Sequence, residues 1–433
     1  MLITEETIQP QLFQDDNFSP IVVPRPEHCI SRKNIDREAL KVLYRLKDHG
    51  YLAYLVGGSV RDLLLGRRPK DFDIGTNARP SEIKKLFKYS RIIGKRFRLV
   101  HVYFRGGKVI EVSTFRRQTE YDDREAAKAG IGEESIFGTP MEDAFRRDLT
   151  INGLFYNIAD FSLIDYVGGI ADLHKGIIRA IGNPEHRFLR DPVRMMRAVR
   201  HAARTGFKIE EKSLEAIKRH GHTIRLCSIA RVRDEWLKDM YSGSSYPWAK
   251  LMVDLGLFYY IFPSYEKLFR SENGKRSKEL LFGLLKDLDK LNRSGEKPPE
   301  SLIVALLLYP FLLNMPEWEA LRPKKIRWPT FEVRALIKGL LTPYEFSRSV
   351  REGAAQILST LWPLRVCAEK GSWPKRVVTK PVFSQSLWLF NSLRKAEGCA
   401  PLVVKHGGRP SKKNKNRKNR KRRYKKKNIL TSS

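Results

Sequence analysis

The chain is short of cysteine, of acid and of long apolar runs, and each shortage closes off a class of protein. Its four cysteines, Cys29, Cys227, Cys367 and Cys399, stand far apart in 433 residues with no CxxC pair. That excludes a disulfide framework and a zinc knuckle, and it fits a reducing, cytoplasmic compartment. No run approaches the ~20 apolar residues of a membrane span. The acidic start MLITEETIQPQLFQDD lacks the apolar stretch of a signal peptide, and no lipidation motif offers another route to a membrane. Acids are outnumbered, 48 Asp and Glu against 82 Lys and Arg, for a formal charge of +34. A surplus of that size calls for a polyanionic partner held through phosphate contacts and counterion release. Arg409 to Lys427 contributes 13 basic residues and no acid, yet the rest of the chain stays strongly basic, so body and tail are both expected to face nucleic acid.

With 42% hydrophobic residues the chain reads as globular, with length for two to four domains. A leader over 1–32 ends in prolines, and Asn34 to His49 has the apolar spacing of an amphipathic helix. A strand over Tyr51–Val56, a Gly57-Gly58 turn, a helix over Ser59–Leu65 and a strand holding Asp71–Ile74 follow. A helix at Pro80–Phe87 and strands near Arg98–Phe104 and Lys108–Thr114 complete a compact α/β head over 33–145. Gln118 to Asp143 is a polar insert of the functional or mobile kind. Helical signals dominate from Phe145. They divide into a neck over 146–270, a body over 271–397 broken by Pro-rich joints at 298–299 and 323–329, and a basic, disordered tail over 398–433.

The chemistry concentrates between Tyr51 and Thr114. Along a strand, residues two apart share a face, so Asp71 and Asp73 in DFDI present two carboxylates side by side while Phe72 and Ile74 enter the core. Glu111 in KVIEVST offers a third. Phosphoryl transfer to a hydroxyl uses two divalent cations ~3.5–4 Å apart, which activate the attacking oxygen and neutralise the leaving phosphates. Mg²⁺ keeps several waters, so a few convergent carboxylates suffice, with Mn²⁺ as a substitute. The Gly57-Gly58 turn brings backbone amides close to a triphosphate, and Arg61, one turn into the next helix, is within reach of phosphate. Farther on, Arg194, Arg197, Arg200 and Arg204 recur at steps of three and four along one helix face.

LVGGSVRDLLLGRRPKDFDI resembles the catalytic signature of the class II nucleotidyltransferases of the polymerase-beta superfamily, which includes tRNA CCA-adding enzymes and bacterial poly(A) polymerases. RRDLTIN (146–152), DYVGGIADL (165–173), RDPVRMMRAVRHAAR (190–204) and ARVRDEWLK (230–238) continue the resemblance in order. It implies a nucleotidyltransferase head followed by an all-α neck and body. Asp71 and Asp73 would bind metal, and Gly57, Gly58, Arg61 and Arg147 would serve the nucleotide. Asp191 and Arg194 would read the base edge, with Arg197 and Arg200 towards the phosphates. Asp148 is expected to be essential, and it competes with Glu111 for the place of third carboxylate. Asp191 has a second reading as the N-cap of a helix with Pro192 at its first position and Gly206 as its stop. Arg190 departs from the family pattern, which has glutamate there.

RIIGKRFRLVHV (91–102) resembles the stretch that marks poly(A) polymerases, through Gly94, Lys95, Arg96, Phe97 and His101. The resemblance therefore implies polyadenylation of RNA 3′ ends from ATP, on mRNA, decay intermediates or tRNA, with the RNA-degradation machinery as a partner and no membrane. CCA or A addition to tRNA is the nearest alternative. A non-catalytic, basic RNA-binding protein is the other, although such a protein has no need of Asp71, Asp73 and Asp148.

Overall fold

The structure, a computed structural model, describes residues 19–94, 98–117, 137–323 and 325–404. The start of the leader, Lys95–Phe97 of the polymerase-marking stretch, most of the polar insert and the basic tail lie outside them. The described chain divides into two compact units. One runs through Gly274 and takes in Leu285–Pro298 and Leu341–Glu345, and the other holds the remaining helices.

In the first unit, Asp36 caps helix α1 (Arg37–Asp48) by accepting from the amides of Glu38 and Ala39. Ala39, Val42, Leu43 and Leu46 form the buried stripe of α1. The sheet consists of β1 (Ile21–Val23), β2 (Ala53–Val56), β3 (Asp73–Thr76), β4 (Ser90–Ile93), β5 (Leu99–Tyr103), β6 (Val109–Thr114), β7 (Leu154–Asn157) and β8 (Leu163–Asp165). Its order is β1-β8-β7-β2-β3-β6-β5-β4, with β3 and β6 parallel and the other pairs antiparallel. The sheet therefore overruns the expected head boundary at both ends, because β1 comes from the leader and β7 and β8 come from the neck. Between the strands lie α2 (Gly58–Leu64), α3 (Pro80–Leu86) and α4 (Pro140–Arg146).

The larger core sits on one sheet face. The apolar stripe of α1 meets Leu55, Ile74, Val100, Val102, Ile110 and Val112 there. Burying each such side chain contributes roughly 1.5–3 kcal/mol. On the other face Tyr54, Val56, Phe115, Ala144, Phe155 and Ile164 make a smaller cluster. Residues that alternate with Ile74, Ile110 and Val112 project to this second face. Asp73 and Glu111 do so.

The neck continues with α5 (Gly169–Lys175), α6 (Pro184–Arg190) and α7 (Val193–Thr205), then helices over Glu211–His220, Ile229–Met240 and Ser245–Asp254. Asp191 is the residue that ends α6, and Pro192 precedes the first turn of α7 without a side-chain cap. The N-cap reading of Asp191 is thereby overturned, since its carboxylate turns to arginines instead. Gly206, at φ 80°, does stop α7.

In the second unit the helix Glu300–Leu312 is buried on all sides from Leu302 onward and packs with Arg348–Lys370 and Phe383–Ala396. Among the described residues no helix is long and apolar enough to cross a membrane.

Candidate active site

The strand register brings Asp73 and Glu111 together. Asp73 is paired directly with Glu111 across β3 and β6, Glu111 with His101 across β6 and β5, and His101 with Arg91 across β5 and β4. His101 Nε2 lies 3.2 Å from Glu111 Oε1. Asp71 just precedes β3, and the exposed, buried, exposed, buried pattern of Asp71 to Ile74 keeps both aspartates off the core side. Desolvation by the protein packed around the carboxyl, which leaves the residue's outer surface open, comes first and Glu111 and Asp71 add to it, pushing Asp73 up to about 6 against the pull of Arg147. Among the described residues no three His, Cys, Asp or Glu side chains form a ready-made metal cluster. The donor set still suits a hard divalent cation: the carboxylates share one sheet face and Asp73 resists ionisation beside Glu111, an unfavourable charge that a cation would offset.

Beside them, β2 ends in Gly57, at φ 72° and ψ −137°. A Cβ there would fall 3.0 Å from Arg147 Nη1. Arg147 is itself anchored on Asp143 Oδ2 through Nε and Nη2, at 3.1 and 2.9 Å, and stacks over Phe155. Gly57→Ala is therefore expected to cost about 1–3 kcal/mol of stability from backbone strain alone and to displace Arg147 from the turn. Thermal unfolding with the KM for ATP checks this, and an alanine variant matching the parent in both would remove the steric argument.

Arg61, expected to face phosphate, is instead committed to the interior and only 2% exposed. Its Nε and Nη2 donate to Asp62 at 2.9 and 2.7 Å, its Nη1 donates to Asn152 Oδ1 at 2.6 Å, and that nitrogen lies 3.1 Å from His201 Nδ1. The amide of Gly57 is likewise taken by Leu154 O at 3.4 Å. The turn and its arginine thus tie β2 and α2 to neck residues Leu154, Asn152 and His201.

Asp148 lies in the same buried network. Its Oδ1 accepts from the Leu149 amide at 2.9 Å and Asn152 Nδ2 at 3.4 Å, and its Oδ2 is 2.9 Å from Arg197 Nε. Burial opposes its charge, but Arg197 and Arg194 outweigh that and hold the carboxyl well below the ordinary range. Its partner is therefore Arg197 of α7, not the neighbouring Arg146, which pairs with Asp143. His201, one turn beyond Arg197, is kept neutral by burial and by Arg61.

The carboxy-terminal end of α4 receives a second set of arginines. Arg194 donates to the carbonyls of Arg147 and Arg146, each at 3.4 Å, and Arg187 donates to the same two carbonyls. Burial pushes Arg187 down to about 9. Asp191 Oδ2 takes Arg231 at 2.8 Å and Arg194 at 3.4 Å, while its Oδ1 is buried without a hydrogen-bond partner among the described residues. Arg187, His201 and Arg231 were not singled out from sequence. The helical step from Arg197 to His201 was the one available signal.

Arg200 goes elsewhere. Its Nε lies 2.5 Å from Asp239 Oδ1 and its Nη1 2.6 Å from Glu235 Oε2, both on the helix Ile229–Met240. Six residues at 3.6 per turn leave Arg200 turned about 120° from Arg194, so the expected single arginine face splits.

Paired carboxylates on one sheet face, a glycine turn and an arginine-bearing helix define a phosphoryl-transfer head joined to a helical neck. Residues 53–179 match the model of the poly A polymerase head domain, and 206–269 match that of the probable RNA- and SrmB-binding site of polymerase A. Poly(A) polymerase I of Escherichia coli O6:H1 is 45% identical over 298 residues, 67% of this chain and 64% of that protein. The Haemophilus influenzae poly(A) polymerase I is 36% identical over 306 residues, 69% of this chain and 67% of that one. The crystal structure of the Bacillus stearothermophilus CCA-adding enzyme in complex with CTP superposes with a TM-score of 0.59 at 26% identity, over 84% of this chain and 79% of that chain. The chain belongs to the class II nucleotidyltransferase family of poly(A) polymerases and CCA-adding enzymes. It spans just under two thirds of the length of the E. coli relative.

Proposed function

We propose that the chain is a template-independent RNA nucleotidyltransferase that transfers AMP from ATP to an RNA 3′-hydroxyl and releases pyrophosphate. The relationship that carries the reading is the 45% identity to a poly(A) polymerase I over 298 residues. Asp71, Asp73 and Glu111 would hold two Mg²⁺ ions, whose chemistry is to lower the pKa of the attacking hydroxyl and neutralise the departing phosphates. The register of Glu111 beside Asp73 supports Glu111 as the third ligand. Asp148, tied to Arg197 and Asn152, would act through position, fixing the neck arginines against the head.

The unpartnered Oδ1 of Asp191 is an acceptor for a base-edge amine, and Arg194 beside it offers the complementary donor. Arg147 and Arg197, both partly exposed, would face the phosphates. Such an enzyme would work in the cytoplasm on mRNA and decay intermediates, alongside the RNA-degradation machinery. The structural likeness to a CCA-adding enzyme favours a second reading, addition of CCA or A to tRNA. The deciding assay offers each NTP singly to an oligo(A) primer and to tRNA lacking its 3′ end. Long extension with ATP alone is expected. Addition that stops after CCA on tRNA would overturn the first reading.

A further inference from the structure

A groove of about 900 Å³ opens on the head between α1 and the ends of α3 and β5. The solvent-facing stripe of α1 forms one wall: Arg37, Lys41 and Arg45 recur there at steps of four, with the half-buried Tyr44 between them. Lys88, Tyr89 and Arg105 stand opposite. Five cations therefore line the groove, and Asp48 is the one carboxylate among its lining residues. None of the five forms an ion pair among the described residues, whereas the neighbouring Lys108 is paired with Asp36.

The aromatic content of the groove is graded. Phe87 is buried and lies beneath the Arg45 guanidinium, 5.5 Å from its ring centre, whereas Tyr89 is 71% exposed with Lys88 Nζ 5.8 Å from its ring. An exposed tyrosine costs solvation and contributes nothing to the core, so a core-packing account leaves it unexplained. Unpaired cations spaced along about 12 Å of helix, with an aromatic face open at one side, are the combination that holds a single strand: cations track the backbone and a base stacks on the ring. Neither matched functional segment accounts for α1, which precedes residue 53.

We infer that the α1 groove is a second RNA-binding track on the head, holding single-stranded RNA upstream of the 3′ end through Arg37, Lys41, Arg45, Lys88 and Arg105, with a base stacked on Tyr89. The choice of RNA as the polyanion rests on the reading of the chain as an RNA-extending enzyme. A flexible strand suits the groove, because five cations face one carboxylate along it and the exposed rings that line it, Tyr89 and Tyr103, offer faces on which bases can stack.

The test uses the full chain with Lys41→Ala, Arg45→Ala and Lys88→Ala combined, and separately Tyr89→Ala with Tyr89→Phe as its conservative control. Affinity for oligo(A) of about 20 nucleotides and about 6 nucleotides is measured by fluorescence anisotropy against salt, beside steady-state AMP addition. For the long RNA, the triple variant is expected to bind about tenfold more weakly with a salt slope reduced by about 2. Tyr89→Ala should weaken long-RNA binding about tenfold, and Tyr89→Phe should restore it. The KM for ATP and kcat on the short primer should stay unchanged. Unchanged long-RNA affinity and slope would overturn the inference and leave the groove to a protein partner. Equal weakening for long and short RNA with a lowered melting temperature would also overturn it, as a folding effect. If the parent adds no nucleotide to any RNA while the variants lose long-RNA affinity, the groove stands and the polymerase reading falls.

Discussion

Replacing Asp73 with asparagine should lower AMP incorporation by about a thousandfold or more, since a carboxylate that holds a catalytic cation contributes several kcal/mol to the transition state. RNA affinity should change little. The same substitution should make the cation-free protein more resistant to heat. Asp73 has its pKa raised from 3.8 to about 6 in the folded state, so the folded protein holds this proton more tightly than the unfolded chain. Its ionisation therefore opposes folding, by an amount that grows between pH 4 and 6 and is complete above that window. Because the residue is exposed, screening limits the effect to about 1 kcal/mol or less. Melting curves of the parent and Asp73→Asn without divalent cation should differ more at pH 8 than at pH 5, and added Mg²⁺ should close the gap by stabilising the parent. Equal melting at both pH values would mean that the carboxylate is not crowded by Glu111 and Asp71.

Arg200→Ala is expected to be the most destabilising single change in the arginine helix, at about 3–5 kcal/mol, because it strands a buried carboxylate. Asp239 has no solvent-exposed side-chain surface, and burial pushes its carboxyl up to about 7 even with the guanidinium against it. Burial also works against the charge on Arg200, and Asp239 and Glu235 overcome it. Removing both ends of the pair, as Arg200→Met with Asp239→Leu, should recover much of the loss. Arg197→Ala also removes an arginine from a buried carboxylate, but Asp148 keeps its bonds from the Leu149 amide and Asn152 and the lost side chain is 43% exposed, so a smaller loss of stability is expected than for Arg200→Ala. Chemical denaturation of the four proteins separates the roles. A normally stable Arg200→Ala with a raised KM for ATP would return Arg200 to the nucleotide.

What could be read in the residues, and what could not, follows from where the deciding information lies. The run from β2 through the glycine turn and α2 to β3 was legible because its signals are local: an apolar run, a glycine turn, then alternation around two aspartates. Strands β7 and β8 were not, since Leu154–Tyr156 and Leu163–Asp165 are buried throughout and show no alternation to separate them from buried helix. Three-residue β1 has no period at all. Among the site residues, Asp73 and Glu111 were found by their flanking apolar neighbours, but only strand register puts them side by side. Arg61 and Arg200 look like any other arginine on a helix. Their partners, Asn152 and Asp239, lie 91 and 39 residues away, and only the fold selects them.

The place of β7 beside β2 has a consequence for how the head comes into being. β2 is buried along its whole length, and its two neighbours arrive at very different times during synthesis: β3 follows at once, while β7 emerges about a hundred residues later. Until then one side of β2 is an open row of amides and carbonyls, able to recruit another strand. A fragment cut at residue 145 would leave that side open permanently and should self-associate. The first residues of the neck are thus a closing strand for the head, and the face that carries Asp73 and Glu111 cannot reach its final form before the neck has begun to leave the ribosome.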